Sequence, residues 1–142
     1  MHQTVRYNLD EKGFYPRRPA YKLDAGRDVF LPEWVSLPSW ETVKIPLGIY
    51  PKWDVDTSLH HIPVLWLLPR SGFSSDYGVF PLTGTVDAGY EGEIKLLLYN
   101  PRPFVVQLER GISPAQLVVG LVERQFDERV RARTNKGFGS SD

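Results

Sequence analysis

Val43-Lys44-Ile45-Pro46-Leu47-Gly48-Ile49 places an apolar side chain at every second residue. Side chains alternate across a strand with a period of two, so Val43, Ile45, Leu47 and Ile49 share one face. Leu117, Val119 and Leu121 repeat the pattern, and Ile94 to Tyr99 forms a denser apolar run. Prolines and glycines, twelve of each in the chain, interrupt it every few residues from Pro16 to Gly120 and leave little length for an average helix. The chain therefore reads as all-β, and short strands separated by turns imply a sandwich or barrel. The expected strands are Val64–Leu68, Glu93–Tyr99, Phe104–Leu108 and Gln116–Glu123, with turns at Asn100-Pro101-Arg102-Pro103 and Glu109-Arg110-Gly111.

With 142 residues the chain is sized for one domain that buries roughly 68–70 % of its unfolded surface. A core over residues 1–130 and a polar tail over 131–142 is the expected division, with no internal repeat or second-domain linker. Without cysteine, disulfide frameworks, zinc–thiolate sites and cysteine nucleophiles are excluded, which suits an intracellular, cytoplasmic setting. Seventeen basic and seventeen acidic residues balance to zero net charge, so the broad positive field of a nucleic-acid binder is missing. Ile62–Leu68 is the longest apolar run and falls far short of the ~20 residues of a membrane helix, so neither nucleic acid nor membrane is an expected partner. Open sheet edges in so small a β domain favour closure or pairing with other subunits. Trp34, Trp40, Trp53 and Trp66 are expected as core or interface anchors. The adjacent His60 and His61 point to opposite faces of a strand and do not make a metal pair.

Three segments carry potential chemistry. Pro69-Arg70-Ser71-Gly72 follows an apolar strand and precedes one short helical turn, Phe73 to Gly78. That layout can form an anion site from main-chain N–H groups, the Ser71 hydroxyl and the Arg70 fork, with Gly72 allowing close approach; it is also compatible with an ordinary strand-to-turn junction. Thr83 to Ile94 reads as a β-hairpin with Asp87 just before a glycine-containing turn and Tyr90 just beyond it. A tyrosine there can pack against a sugar and exclude a 2′-hydroxyl, and Asp87 can either deprotonate a water or simply cap the turn. In Arg131 to Asp142, Gly137 and Gly139 flank Phe138, whose ring can stack on a base, while Arg133, Ser140 and Ser141 can bind phosphate; an exposed polar terminus explains the same residues.

Taken together, these segments resemble the homotrimeric deoxyuridine triphosphatase (dUTPase) family, with its five motifs in order. They are Ala25-Gly26-Arg27-Asp28-Val29; Pro69-Arg70-Ser71-Gly72 with Gly78; Gly84 to Ile94; Gly111 with Ala115-Gln116-Leu117-Val118; and Arg133 with Gly137-Phe138-Gly139-Ser140-Ser141. The resemblance implies a distorted jelly-roll or barrel-like subunit with a flexible C-terminal arm, assembled as a homotrimer with active sites at subunit interfaces. It implies hydrolysis of dUTP to dUMP and pyrophosphate by water attack on the α-phosphorus, limiting uracil in DNA and supplying dUMP for thymidylate synthesis. Asp87 would be the catalytic base and Tyr90 would pack against deoxyribose. Main-chain groups at Thr85, Val86 and Lys95 would hold the nucleoside, and Arg70, Ser71, Gly72 and Gln116 the phosphates, supported by Asp28. Phe138 would stack on uracil while Arg133, Gly139 and Ser140 close on the phosphates. Mg2+ would enter through substrate phosphates and water, with no protein cage.

Some positions depart from the family pattern: Ser113-Pro114 stands where Arg-Ile is common, Pro81 where many members have Asn, and Lys136 and Asp142 where Gly is common. A dCTP deaminase on the same fold is disfavoured because Leu97 occupies the position of that family's catalytic glutamate. A non-catalytic, nucleotide-responsive regulatory protein is the remaining alternative, motivated by the Trp-rich stretch Leu31 to Trp53.

Overall fold

A computed structural model of the chain describes residues 4–9, 22–82 and 84–124. Among the described residues, ten strands and one helix follow in order: β1 Thr4–Leu9, β2 Gly26–Val29, β3 Val35–Leu37, β4 Thr42–Asp54, β5 His61–Pro69, α1 Ser71–Tyr77, β6 Phe80–Pro81, β7 Gly84–Asp87, β8 Ile94–Tyr99, β9 Val106–Leu108 and β10 Ala115–Glu123. They form two four-stranded sheets, ordered β1-β4-β8-β6 and β2-β10-β5-β7, and a β3-β9 ribbon. Every pairing is antiparallel. The fold is thus all-β and jelly-roll-like.

The core lies between the sheets. Ile45, Leu47 and Ile49 of β4 and Ile94, Leu96 and Leu98 of β8 meet Leu65 and Leu67 of β5, Val86 of β7 and Leu117 of β10, and Leu37 and Leu108 bring in the ribbon. Alternation therefore identified the inward face of β4 correctly, with Val43 partly buried at its margin. In β10 the periodicity outlasts the core. Leu117 is buried but Val119 and Leu121 are exposed, because the distal halves of β10 and β5 pair with each other beyond the packed interior.

β4 runs for thirteen residues through Pro46 and Pro51, longer than proline punctuation suggests. A register shift between Pro46 and Ile49 absorbs the interruption, and Gly48 there takes φ 71°, a conformation costly for other residues. Trp53 packs against the core and Trp66 lies across β10 at Gly120. Trp34 and Trp40, each 62 % exposed on loops beside β3, are not core anchors, which leaves the interface part of the expectation.

The expected turn after β8 is organised by a buried polar hub. Asn100 Nδ2 donates to the carbonyls of Leu37, Phe104 and, at 3.3 Å, Pro38, and its Oδ1 accepts from the Arg102 amide. Its own main chain pairs with Trp40 and Glu41. Holding the Phe104 carbonyl in the turn delays the next strand until Val106, two residues later than the apolar pattern suggests. Replacing Asn100 with Ala strands buried carbonyls and should cost about 2–4 kcal/mol of stability. Asn100→Asp should do no better, because it turns an acceptor toward acceptors. Urea denaturation of both variants measures this.

Candidate active site

The β2-β10-β5-β7 sheet positions most of the chemistry. Ala115 and Leu117 point into the core, so Gln116 points outward, opposite Asp28 on β2 and Leu68 on β5. Gln116 leans over Gly26, where a Cβ would collide with its amide oxygen. Arg70 follows directly on β5: its Nε lies 3.3 Å from Asp28 Oδ1, its Nη1 donates to the Ser113 carbonyl at 3.0 Å, and its amide donates to the Pro114 carbonyl. These contacts hold the guanidinium at the sheet end without burying it, leaving donors for a ligand.

The short helix begins one residue later. Ser71 and Gly72 are exposed in its first turn, with open space where a Gly72 side chain would stand. Gly78 ends it in the left-handed conformation, its amide donating to the Ser74 carbonyl. Asp28, Arg70, Ser71, Gly72 and Gln116 are therefore brought together, a cluster of guanidinium, hydroxyl and amide donors suited to phosphate oxygens. Ser113 and Pro114, departures from the family pattern, supply the carbonyls that orient Arg70; a carbonyl's role as anchor depends on tertiary position and leaves no side-chain signal.

The Gly84–Ile94 stretch turns sharply, with the Tyr90 amide donating to the Asp87 carbonyl at 3.1 Å. The expected hairpin, however, is not formed by paired arms. β7 pairs with β5, whereas β8 pairs with β4 and β6, so the turn is a corner carrying the chain from one sheet to the other. Inward Val86 and Ile94 explain it, since each anchors its own arm in a different wall of the core. Thr85 and Asp87 face outward and are exposed. Val86 is buried, so only its main chain is available to a ligand, and Lys95 is partly buried opposite Pro46. Tyr90 is 4 % exposed, and its hydroxyl donates to the Glu93 carbonyl at 2.8 Å, making it a firm base for the turn.

Along the sheet these two groups stand apart. Asp87 lies opposite Val64 and Gln116 opposite Leu68, four residues apart on β5, or about 13 Å at about 3.3 Å per residue. Arg133, Phe138, Gly139 and Ser140 lie outside the described residues. Among the described residues, no three His, Cys, Asp or Glu side chains gather as metal ligands, and no helix is long and apolar enough to cross a membrane.

An all-β subunit with a phosphate-suited cluster at one sheet end and an exposed carboxylate on an inter-sheet turn has the layout of a nucleotide-acting enzyme. The family model for dUTPase matches residues 16–142, and the chain belongs to the dUTPase family. It is 32 % identical to a deoxyuridine 5′-triphosphate nucleotidohydrolase of Clostridium novyi, covering 93 % of each chain. The counterpart from Streptomyces avermitilis is 39 % identical over 87 % of this chain and 73 % of that protein. Among solved structures, a point mutant of the dUTPase from Staphylococcus aureus phage phi11, which coordinates a structural Mg(II) ion, superposes with a TM-score of 0.73 at 25 % identity, covering 89 % of this chain and 96 % of that one.

The Asp28–Arg70 pair is about a third to two-fifths exposed, so its direct contribution to folding is small. Asp28→Asn should change unfolding free energy by less than about 1 kcal/mol, measured by chemical denaturation.

Proposed function

We propose that this chain hydrolyses dUTP to dUMP and pyrophosphate, as a homotrimer whose active sites form between subunits. Family membership gives the reaction, and the observation that carries the assembly is the separation of Asp87 from the Arg70–Gln116 cluster along one sheet. A triphosphate needs its charge neutralised and a water held in line, and an offset of about 13 Å along β5, between strands that flank it on opposite sides, favours completion of the site by a second subunit. A neighbouring subunit that presents its own Asp87 turn to the cluster completes the site.

In that site Arg70, Ser71, the Gly72 main chain and Gln116 bind the phosphates, with Asp28 fixing the guanidinium. Asp87 accepts a proton from the attacking water, and pyrophosphate leaves. Tyr90 backs the deoxyribose, and main-chain groups of Thr85, Val86 and Lys95 hold the nucleoside. The tail supplies Phe138 to stack on uracil and Arg133, Gly139 and Ser140 to close over the phosphates. The donor set fits a metal that arrives with the nucleotide, since guanidinium, hydroxyl and amide groups engage phosphate oxygens while the Asp28 carboxylate is engaged by Arg70. Bound in that way, Mg2+ would supply charge neutralisation across the phosphates.

Asp87→Asn should lower kcat on dUTP about a thousandfold while a non-hydrolysable imido-dUTP still binds with near-wild-type affinity, as read by pyrophosphate release and calorimetry. Removal of residues 133–142 should leave a folded trimer by sedimentation but reduce turnover strongly, because in this reading those residues complete the site rather than the core. Product analysis with Mg2+ and each deoxynucleoside triphosphate in turn tests the reaction: dUMP and pyrophosphate from dUTP are expected, and release of ammonia from dCTP would overturn it.

A further inference from the structure

The turn that carries Asp87 and Tyr90 is pinned to β4 from outside the family motifs. Trp53 Nε1 donates to the Tyr90 carbonyl at 2.7 Å, from a half-buried indole packed against the core. The Gly48 amide donates to Glu93 Oε2 at 2.9 Å, made possible by the irregularity in β4, and Lys52 Nζ lies 3.8 Å from Glu91 Oε2. Tyr90 is therefore held at both ends: its carbonyl by Trp53 and its hydroxyl by the Glu93 carbonyl.

We propose that Trp53 is a positioning residue that sets selectivity for deoxyribose over ribose. The inference rests on the reading of Tyr90 as the surface against the sugar. A surface excludes a 2′-hydroxyl only while it cannot retreat, because a loop that yields by a fraction of an ångström accommodates the extra oxygen. The Gly48–Glu93 bond and the exposed Lys52–Glu91 pair hold the far side of the turn, whereas Trp53 acts on the Tyr90 backbone itself. An indole has a single N–H donor, and it is committed to this contact. Trp53 touches no substrate in this arrangement and works entirely through Tyr90.

Trp53→Phe keeps an aromatic ring in the core and removes the donor. The expected result is near-wild-type kcat on dUTP, a raised KM, and a fall in the ratio of kcat/KM for dUTP over UTP of between about twofold and tenfold, the scale of one neutral hydrogen bond. Amide exchange across residues 88–93 should quicken in the same variant, a readout independent of catalysis. Trp53→His, which retains a ring N–H, should recover part of the dUTP preference. An unchanged dUTP/UTP ratio with unchanged exchange in Trp53→Phe would overturn the proposal, as would a uniform loss of kcat on both nucleotides. Absence of dUTP turnover in the wild-type protein would instead defeat the functional reading, with the exchange measurement still reporting whether Trp53 holds the turn.

Discussion

The double pairing of β10 is the constraint on which the rest of the molecule depends. It is matched residue by residue along β5 from Ala115–Pro69 to Glu123–His61 and pairs on its other side with β2 from Ala115–Val29 to Val118–Gly26. A slip of one residue would turn Leu117 outward and Gln116 into the core, exchanging an apolar side chain for an unsatisfied amide. Core packing thus enforces the register, and the register places Gln116 between Asp28 and the end of β5, beside Arg70. The same ladder holds Ser113 and Pro114 where their carbonyls meet Arg70. Core stability and the placement of the Arg70–Gln116 cluster rest on one set of backbone hydrogen bonds.

The second part of the site depends on the opposing sheet. Asp87 ends β7 in one sheet, the chain crosses, and Ile94 begins β8 in the other. A corner between two walls is stiffer than a free hairpin tip, because both arms are anchored in the core and the span between them is braced on β4. Trp53 and Gly48 provide bracing from a strand far away in sequence. Outward-facing Asp87 is thereby presented on a braced support at the molecular surface.

Much of this was legible beforehand. Alternation at Val43, Ile45, Leu47 and Ile49 marked the inward face of β4, and Arg70-Ser71-Gly72 after an apolar run marked the strand-to-helix junction at the end of β5, because local periodicity and turn chemistry are properties of neighbouring residues. Errors arose where distant residues decide. Val119 and Leu121 carry a core-like pattern but extend past the core. The Gly84–Ile94 stretch has the residues of a hairpin, but its arms are claimed by different partners. Asn100 reads as a turn residue, and nothing in its neighbours announces that its side chain joins two loops through buried carbonyls.

By itself, the amino-acid order determined the all-β class and the family, since these reside in side-chain chemistry and short-range spacing. Only the tertiary structure decided that Arg70 is oriented by Asp28 and by the Ser113 carbonyl, that Asp87 stands apart from that cluster on the same sheet, and that Trp53 secures Tyr90. The physical reason is that antiparallel pairing sets which remote residues become neighbours. That pairing is selected by burial of the whole core and by satisfaction of every backbone donor and acceptor, conditions that no local segment contains.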